Sequence, residues 1–197
     1  SDDQQVEFSR RFGPLEPSVR RHRHRSVSNI YLSDISNVDP GGAIMPETSE
    51  AMSYNRGNQL WHSDSSFKKI PAKASLLSAK EVPPCGGETE FSDMRAVWDS
   101  LDRKTQNTIN SLYAEHSLSY SRSAMGYDAE RIFTNKERSE VPPVLQPLVR
   151  QNTSTGRKSL YVGSHASRIP NMKDDEGRAL LDSLLSQSAK RQFVHVH

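Results

Sequence analysis

The chain has few of the features that mark secreted or membrane-spanning proteins. Cys85 is its one cysteine, so no internal disulfide can form, which fits a reducing compartment and predicts a cytoplasmic location. No apolar run approaches the roughly 18 residues of a membrane span. The formal net charge of +2 is too small to indicate nucleic acid or a membrane surface as a partner.

Hydrophobic residues are also scarce. They make up 34% of the 197 residues, against 25% charged residues, so long loops or a large exposed surface are expected. The length suits one domain, residues 1–197, with a sizeable core. The basic run at residues 20–25 could recruit an anion, but a solvated loop is the simpler interpretation. The chain does not begin with Met, and we expect it to be incomplete at both ends.

Local patterns predict an α+β domain built on an antiparallel barrel or jelly roll. A loop is expected at 43–57, and a lid or excursion at 117–143. Helices are predicted at 1–12 (with Ser1 and Gln4, or Asp2 and Gln5, as a capping pair), from Met94 after an Asp93 cap, at 104–116, and from an Asp174 or Asp175 cap to about Lys190. Strands are predicted at 29–35, 59–67, 72–82, 88–92, 144–149, 159–162 and 193–197.

The stretch WHSDSSF at 61–67 contains the first candidate ligands. On a strand, side chains alternate faces, so His62 and Asp64 would point the same way. An imidazole and a carboxylate side by side are two of the three ligands of a 2-His-1-carboxylate iron site. The spacing H-x-D alone is common, and a surface His and Asp in a polar loop is the alternative.

A second motif makes the pattern specific. The sequence LWHSDSSF at 60–67, followed by VPPCGGETEFSDMRA at 82–96, resembles the taurine/2,4-dichlorophenoxyacetate dioxygenase family, which consists of iron(II)- and 2-oxoglutarate-dependent oxygenases. The resemblance extends to FSRRFG at 8–13 and LYVGSHAS at 160–167. It implies a double-stranded β-helix, or jelly roll, with flanking helices. It also implies Fe(II) as cofactor, with 2-oxoglutarate and O2 as cosubstrates.

The resemblance implies a role for four residues. His62 and Asp64 correspond to the first two iron ligands, Thr89 to a donor to 2-oxoglutarate, and Asn58 to a position beside cosubstrate and substrate. A third ligand histidine and an arginine for the far carboxylate of 2-oxoglutarate are expected beyond His197. His195 and His197 precede the ligand-bearing strand of the family and are interpreted as structural, so the chain alone is expected to be inactive.

Within the family, the stretches at 63–67, 117–123 and 163–167 favour the aryloxyalkanoate dioxygenases. The implied substrate is a small carboxylate such as 2,4-dichlorophenoxyacetate. His165 is a candidate pocket residue, with a hydrogen-bonded histidine at a strand end as the equal alternative, and Ser66 is a weaker candidate. A taurine or alkylsulfonate dioxygenase and a non-catalytic jelly-roll binding protein remain alternative functions. Family members often form homo-oligomers, so a homo-oligomer is also expected.

Overall fold

Short helices and short antiparallel strands alternate along the chain in the computed structural model, which describes residues 1–19, 27–126 and 133–197. The helices in these ranges are α1 (Asp2–Arg10), α2 (Glu50–Asn55), α3 (Met94–Ser100), α4 (Arg103–Ile109), α5 (Leu118–Ser123), α6 (Asn135–Glu140) and α7 (Asp174–Ser188). The strands are β1 (Glu90–Ser92), β2 (Tyr113–His116), β3 (Val144–Pro147), β4 (Val149–Gln151), β5 (Lys158–Leu160), β6 (Ala166–Arg168) and β7 (Val194–Val196). None of these described helices is long and apolar enough to cross a bilayer.

The helix starts follow local capping chemistry. The Ser1 hydroxyl accepts a hydrogen bond from the Gln4 amide, and the Gln4 side chain accepts one from the Ser1 amine, which completes the predicted capping box. The Asp93 carboxylate caps α3 as predicted. The predicted cap of α7 is wrong, because Lys173 occupies the N-cap and Asp174 lies inside the first turn. An acidic side chain there still interacts favourably with the helix dipole.

The strands form three small antiparallel sheets. β2 is the centre of a three-stranded sheet with the order β3-β2-β6, β4 pairs with β5, and β1 pairs with β7. The chain between β4 and β5 turns at residues 152–157 and forms a hairpin, with Val149 opposite Leu160. The strand predicted at 193–197 is confirmed as β7, with His195 opposite Phe91.

Several predicted elements are wrong. The helix predicted at 104–116 ends at Ile109, and the chain continues as β2, in which Ala114 and His116 are buried two residues apart. No strand is assigned at 29–35, 59–67 or 72–82. Apolar side chains in two of these segments face solvent, since Ile35 is 64% and Leu77 63% exposed.

The two segments predicted as irregular contain helices. The loop predicted at 43–57 includes α2 and leads into a 3₁₀ turn, Arg56–Gln59. The lid predicted at 117–143 includes α5 and α6, while its residues 127–132 and the basic run at 20–25 lie outside the described residues. Its role as a lid stays a prediction.

The main hydrophobic core lies between α3, α4, α7 and the sheets. Val97, Ile109 and Leu181 are fully buried in it, together with Leu148 and Leu160. Complete burial of a leucine side chain stabilises the fold by about 1.5–3 kcal/mol. The core therefore ties the long C-terminal helix to the strands.

A second buried feature is polar. His116 at the end of β2 is 1% exposed, and its Nδ1 lies 3.0 Å from the Ser66 hydroxyl. The ring stacks on Tyr161 with centroids 5.7 Å apart. Burial, and next the charge of Arg150, lowers the pKa of His116 from 6.5 to about 4. The fold therefore holds this imidazole neutral.

We predict that Leu181→Ala lowers the free energy of unfolding by about 2–5 kcal/mol, because the shorter side chain buries less apolar surface and leaves a cavity in the core. Urea denaturation measures the change. Leu77→Ala is the matched control, since Leu77 is 63% exposed. An equal loss of stability in both variants would contradict this assignment of the core.

We also predict that stability falls between pH 6.5 and pH 4. The unfolded chain protonates His116 below its ordinary pKa of 6.5, whereas the folded state resists protonation down to about 4, so the contribution is present above pH 6.5 and lost as the pH falls. The loss from this group is on the order of 3 kcal/mol.

Urea midpoints at pH 7, 5.5 and 4 measure the dependence. His116→Asn should make the pH dependence shallower, because only the contribution of buried His165 then remains, whereas His195→Asn, at an exposed position, should not change it. Identical pH profiles for His116→Asn and the unchanged protein would contradict the prediction.

Candidate metal centre

His62 and Asp64 face one another at the entrance of a turn. The distance from His62 Nε2 to Asp64 Oδ1 is 3.2 Å. The predicted strand does not cause this approach. Residues 64–67 turn instead, with Ser65 at φ 55° and the Ser66 amide donating to the Ser63 carbonyl over 3.3 Å. The two side chains meet where the unassigned segment at 61–63 passes into this turn.

The hydrogen bond on the other ring nitrogen determines the state of His62. Its Nδ1 lies 2.6 Å from the Leu60 carbonyl oxygen, which can only accept, so Nδ1 carries a proton. In the neutral ring, Nε2 then presents a lone pair to the Asp64 carboxylate. Two acceptors at 3.2 Å require a positive charge between them, either a proton or a metal ion.

The protonation behaviour of the pair agrees with this geometry. The hydrogen bond with Asp64 is the largest cause that raises the pKa of His62, and the same bond lowers the pKa of Asp64. Burial acts in the opposite direction on both groups. The carboxylate therefore favours a positive charge at Nε2.

These donors fit a divalent iron ion. A neutral imidazole and a carboxylate are the ligand types of the 2-His-1-carboxylate triad, and ligand histidines usually donate their other N–H to a carbonyl, as Nδ1 does to Leu60. Among residues 1–19, 27–126 and 133–197, no group of three His, Cys, Asp or Glu side chains can hold a metal. His62 and Asp64 could thus supply two ligands, with the other coordination positions left to other groups.

Gly163 and Ser164 pack against the backbone of Trp61 and His62. The Ser164 amide donates to the Trp61 carbonyl over 2.8 Å. A Cβ on Gly163 would lie 3.0 Å from His62 Cα and 3.3 Å from the Trp61 oxygen. Such contacts are tighter than nine in ten real Cβ contacts, so a side chain at Gly163 would require the backbone at His62 to shift by a few tenths of an ångström.

His165 lies beside the His62–Asp64 pair, and its role as a pocket residue stays a prediction. Its ring centroid is 6.0 Å from that of His62 and 4.8 Å from that of Phe67, both in edge-to-face geometry. It is 3% exposed, and its Nδ1 lies 3.0 Å from the Ser121 hydroxyl. Burial, followed by the charges of His62 and Arg122, lowers the pKa of His165 to about 3. His165 is therefore a neutral, hydrogen-bonded imidazole next to the ligands.

The other sequence candidates occupy different positions. Ser66 is 1% exposed beneath the turn and bonds His116. Asn58 is exposed on the 3₁₀ turn, and the Thr89 backbone exchanges hydrogen bonds of 3.2 and 2.9 Å with His197. The described contacts bring His165 to the His62–Asp64 pair, and none of them joins Asn58 or Thr89 to it.

Two buried residues near the site were missed. Arg122 is 4% exposed, and its guanidinium lies 4.9 Å from the centroid of the Tyr54 ring. The guanidinium occupies space that Gly57 leaves free, because a Cβ on Gly57 would overlap it. Gln146 is 4% exposed, and its amide donates to the carbonyls of Ser66 and Lys68. Its polar side chain within the apolar stretch VLQPLV was the sequence pattern that could have identified it. Nothing in the polar stretch around Arg122 distinguished that residue.

Comparison with known proteins places this geometry in context. The chain is 43% identical over 199 residues to the alpha-ketoglutarate-dependent 2,4-dichlorophenoxyacetate dioxygenase of Cupriavidus pinatubonensis, with 100% of this chain and 68% of the relative covered. It is 36% identical to the (S)-phenoxypropionate/alpha-ketoglutarate-dioxygenase of Sphingobium herbicidovorans, with 99% and 65% covered. The chain thus spans about two thirds of the length of these curated relatives.

A solved structure and a family model agree with these relatives. The crystal structure of AAD-2 in complex with Mn(II) and N-oxalylglycine matches with a TM-score of 0.90 and 44% identity, covering 100% of this chain and 68% of that chain. The model of the taurine catabolism dioxygenase TauD, TfdA family matches residues 1–197. The resemblance drawn from the two motifs is therefore confirmed. The chain belongs to the TauD/TfdA family of dioxygenases.

Proposed function

We propose that the protein to which this chain belongs is an Fe(II)- and 2-oxoglutarate-dependent dioxygenase that oxidises an aryloxyalkanoate such as 2,4-dichlorophenoxyacetate. The observation that carries the proposal is the His62 imidazole, which bonds the Leu60 carbonyl through Nδ1 and faces the Asp64 carboxylate with Nε2 at 3.2 Å. Family membership and two relatives named for phenoxyalkanoate oxidation support the reaction class. The jelly-roll architecture expected from the resemblance is part of the proposal.

The proposed roles follow from chemistry and position. His62 Nε2 and Asp64 hold Fe(II), while Leu60 fixes the histidine tautomer through its carbonyl. Iron with 2-oxoglutarate and O2 supplies the oxidising power. The Thr89 hydroxyl donates to a carboxylate oxygen of 2-oxoglutarate, and Asn58 lies beside the cosubstrate; both roles rest on the family motif.

The substrate ring is proposed to lie against His165 and Phe67. These side chains present an edge-to-face aromatic pair next to His62, and burial keeps His165 uncharged. Aromatic groups favour such edge and offset contacts. Ser66 is proposed to contribute to the substrate pocket from within the turn, where its side chain is buried.

The overall reaction balances without a further oxidant. One oxygen atom of O2 enters the C–H bond next to the ether oxygen, and the other enters 2-oxoglutarate as it loses CO2 and becomes succinate. The hydroxylated carbon is a hemiacetal, which breaks its C–O bond to give a phenol and glyoxylate. The chain's own residues bind and orient the substrate and keep water away during this step.

We predict that His62→Ala and Asp64→Ala, made in the full-length gene product, each lower kcat/KM by more than about 100-fold, because residues behind metal ligands already contribute about 10–100-fold. Succinate formation with Fe(II), ascorbate and 2,4-dichlorophenoxyacetate is the measurement. His195→Ala, on exposed β7, serves as the control and should retain activity. Full activity in either ligand variant would contradict the metal assignment.

We further predict that phenoxyacetates are turned over with a kcat/KM at least about tenfold higher than that of taurine. A hydrophobic pocket discriminates about 10–200-fold against a substrate that is missing a single methylene group, and taurine lacks the whole aromatic ring. The measurement is succinate released per substrate across a panel of phenoxyacetates, phenoxypropionates and taurine. Preference for taurine would support the alkylsulfonate alternative. Absence of succinate formation across the whole panel would support a non-catalytic binding protein.

A further inference from the structure

The strand β3 has an inverted burial pattern. Gln146 is 4% exposed, whereas its neighbour Leu145 is 57% exposed. An antiparallel strand normally buries its apolar residues and exposes its polar ones. Burying an amide costs about 1–3 kcal/mol unless its hydrogen bonds are replaced. The buried glutamine therefore requires an explanation other than core packing.

The contacts of Gln146 converge on the turn that follows Asp64. Its Nε2 donates to the Ser66 carbonyl over 3.1 Å and to the Lys68 carbonyl over 2.8 Å. These two bonds use both protons of the side-chain amide. Ser66 lies in the turn at residues 64–67, and Lys68 follows it and bonds back to the Ser65 carbonyl, so the glutamine connects β3 to the backbone that continues from Asp64.

The remaining oxygen of the amide is also engaged. Arg150 donates from Nη2 to Gln146 Oε1 over 2.8 Å, and its guanidinium carbon lies 3.5 Å from the centroid of the Tyr161 ring. A cation over an aromatic face is attracted to it. Arg150 therefore fixes the orientation of the amide, with the nitrogen towards the turn and the oxygen away from it.

We propose that Gln146 is a positioning residue that sets the place of the Asp64 carboxylate, an inference that rests on the proposed metal site. Without the amide protons, two carbonyls of the turn lose their buried donor, and the turn relaxes towards other partners. Because a ligand must be held within about 0.5 Å of its working position, a small shift of this turn weakens metal binding.

Two substitutions separate donation from packing. Gln146→Glu keeps the size of the side chain and an acceptor for Arg150 but removes both donors to the turn. Gln146→Leu removes every polar interaction of the side chain and provides a second test if the charged variant does not fold. The matched control is Gln106→Glu, because half-buried Gln106 also donates to a carbonyl, that of Trp98 over 2.9 Å, in a helix of the core.

The experiment measures the Mn(II) dissociation constant of the full-length protein from the EPR signal of free Mn(II), alongside the melting temperature of the metal-free protein. The visible spectrum of the Co(II) form reports the ligand geometry. We expect Gln146→Glu to weaken Mn(II) binding about 10–100-fold and to alter the Co(II) spectrum, as for residues that orient metal ligands. Gln106→Glu should leave both unchanged.

Each outcome has a distinct meaning. Mn(II) affinity in both Gln146 variants within twofold of the unchanged protein would overturn the positioning role while leaving the proposed function intact. So would losses of affinity and melting temperature equal to those of Gln106→Glu. Failure of the unchanged protein to bind Mn(II) would contradict the proposed function, and the positioning role with it.

Discussion

The site depends on the hydrogen bond between His62 Nδ1 and the Leu60 carbonyl. At 2.6 Å from an oxygen that can only accept, Nδ1 must carry the proton. That assignment turns the lone pair of Nε2 towards Asp64 at 3.2 Å. The backbone thereby prepares this pair of side chains for a positive charge, as the proposed metal site requires.

Three neighbouring parts of the fold keep this segment in place. Gly163 packs so closely against it that a side chain there would push on the His62 backbone, and the Ser164 amide donates to the Trp61 carbonyl. Gln146 holds the carbonyls of the turn beyond Asp64. His116 supports the Ser66 hydroxyl from inside the sheet. These contacts come from β2, β3 and the loop before β6, so the folded sheets hold the His62–Asp64 pair in place.

The sequence was most informative where its chemistry is local. The Asp93 cap and the Ser1–Gln4 capping box were predictable because a cap and its amides lie within three residues. Strands were harder, because alternation at 72–82 resembles a strand but does not specify a partner. Residues 113–116 were assigned to a helix because they continued its apolar spacing, whereas pairing with β3 and β6 made them a strand.

The site shows the same division. The H-x-D spacing predicted that the His62 and Asp64 side chains lie together, and they do, although no strand is assigned there and a turn begins at Asp64. Gln146 was missed because its role depends on contacts with a turn 78–80 residues away.

The most direct test is a crystal of the full-length protein grown with Mn(II), examined by anomalous diffraction at the manganese edge. The account predicts a peak within coordination distance of both His62 Nε2 and Asp64 Oδ1, with Nδ1 still bonded to Leu60. A peak elsewhere, or a His62 ring bound through Nδ1, would contradict it.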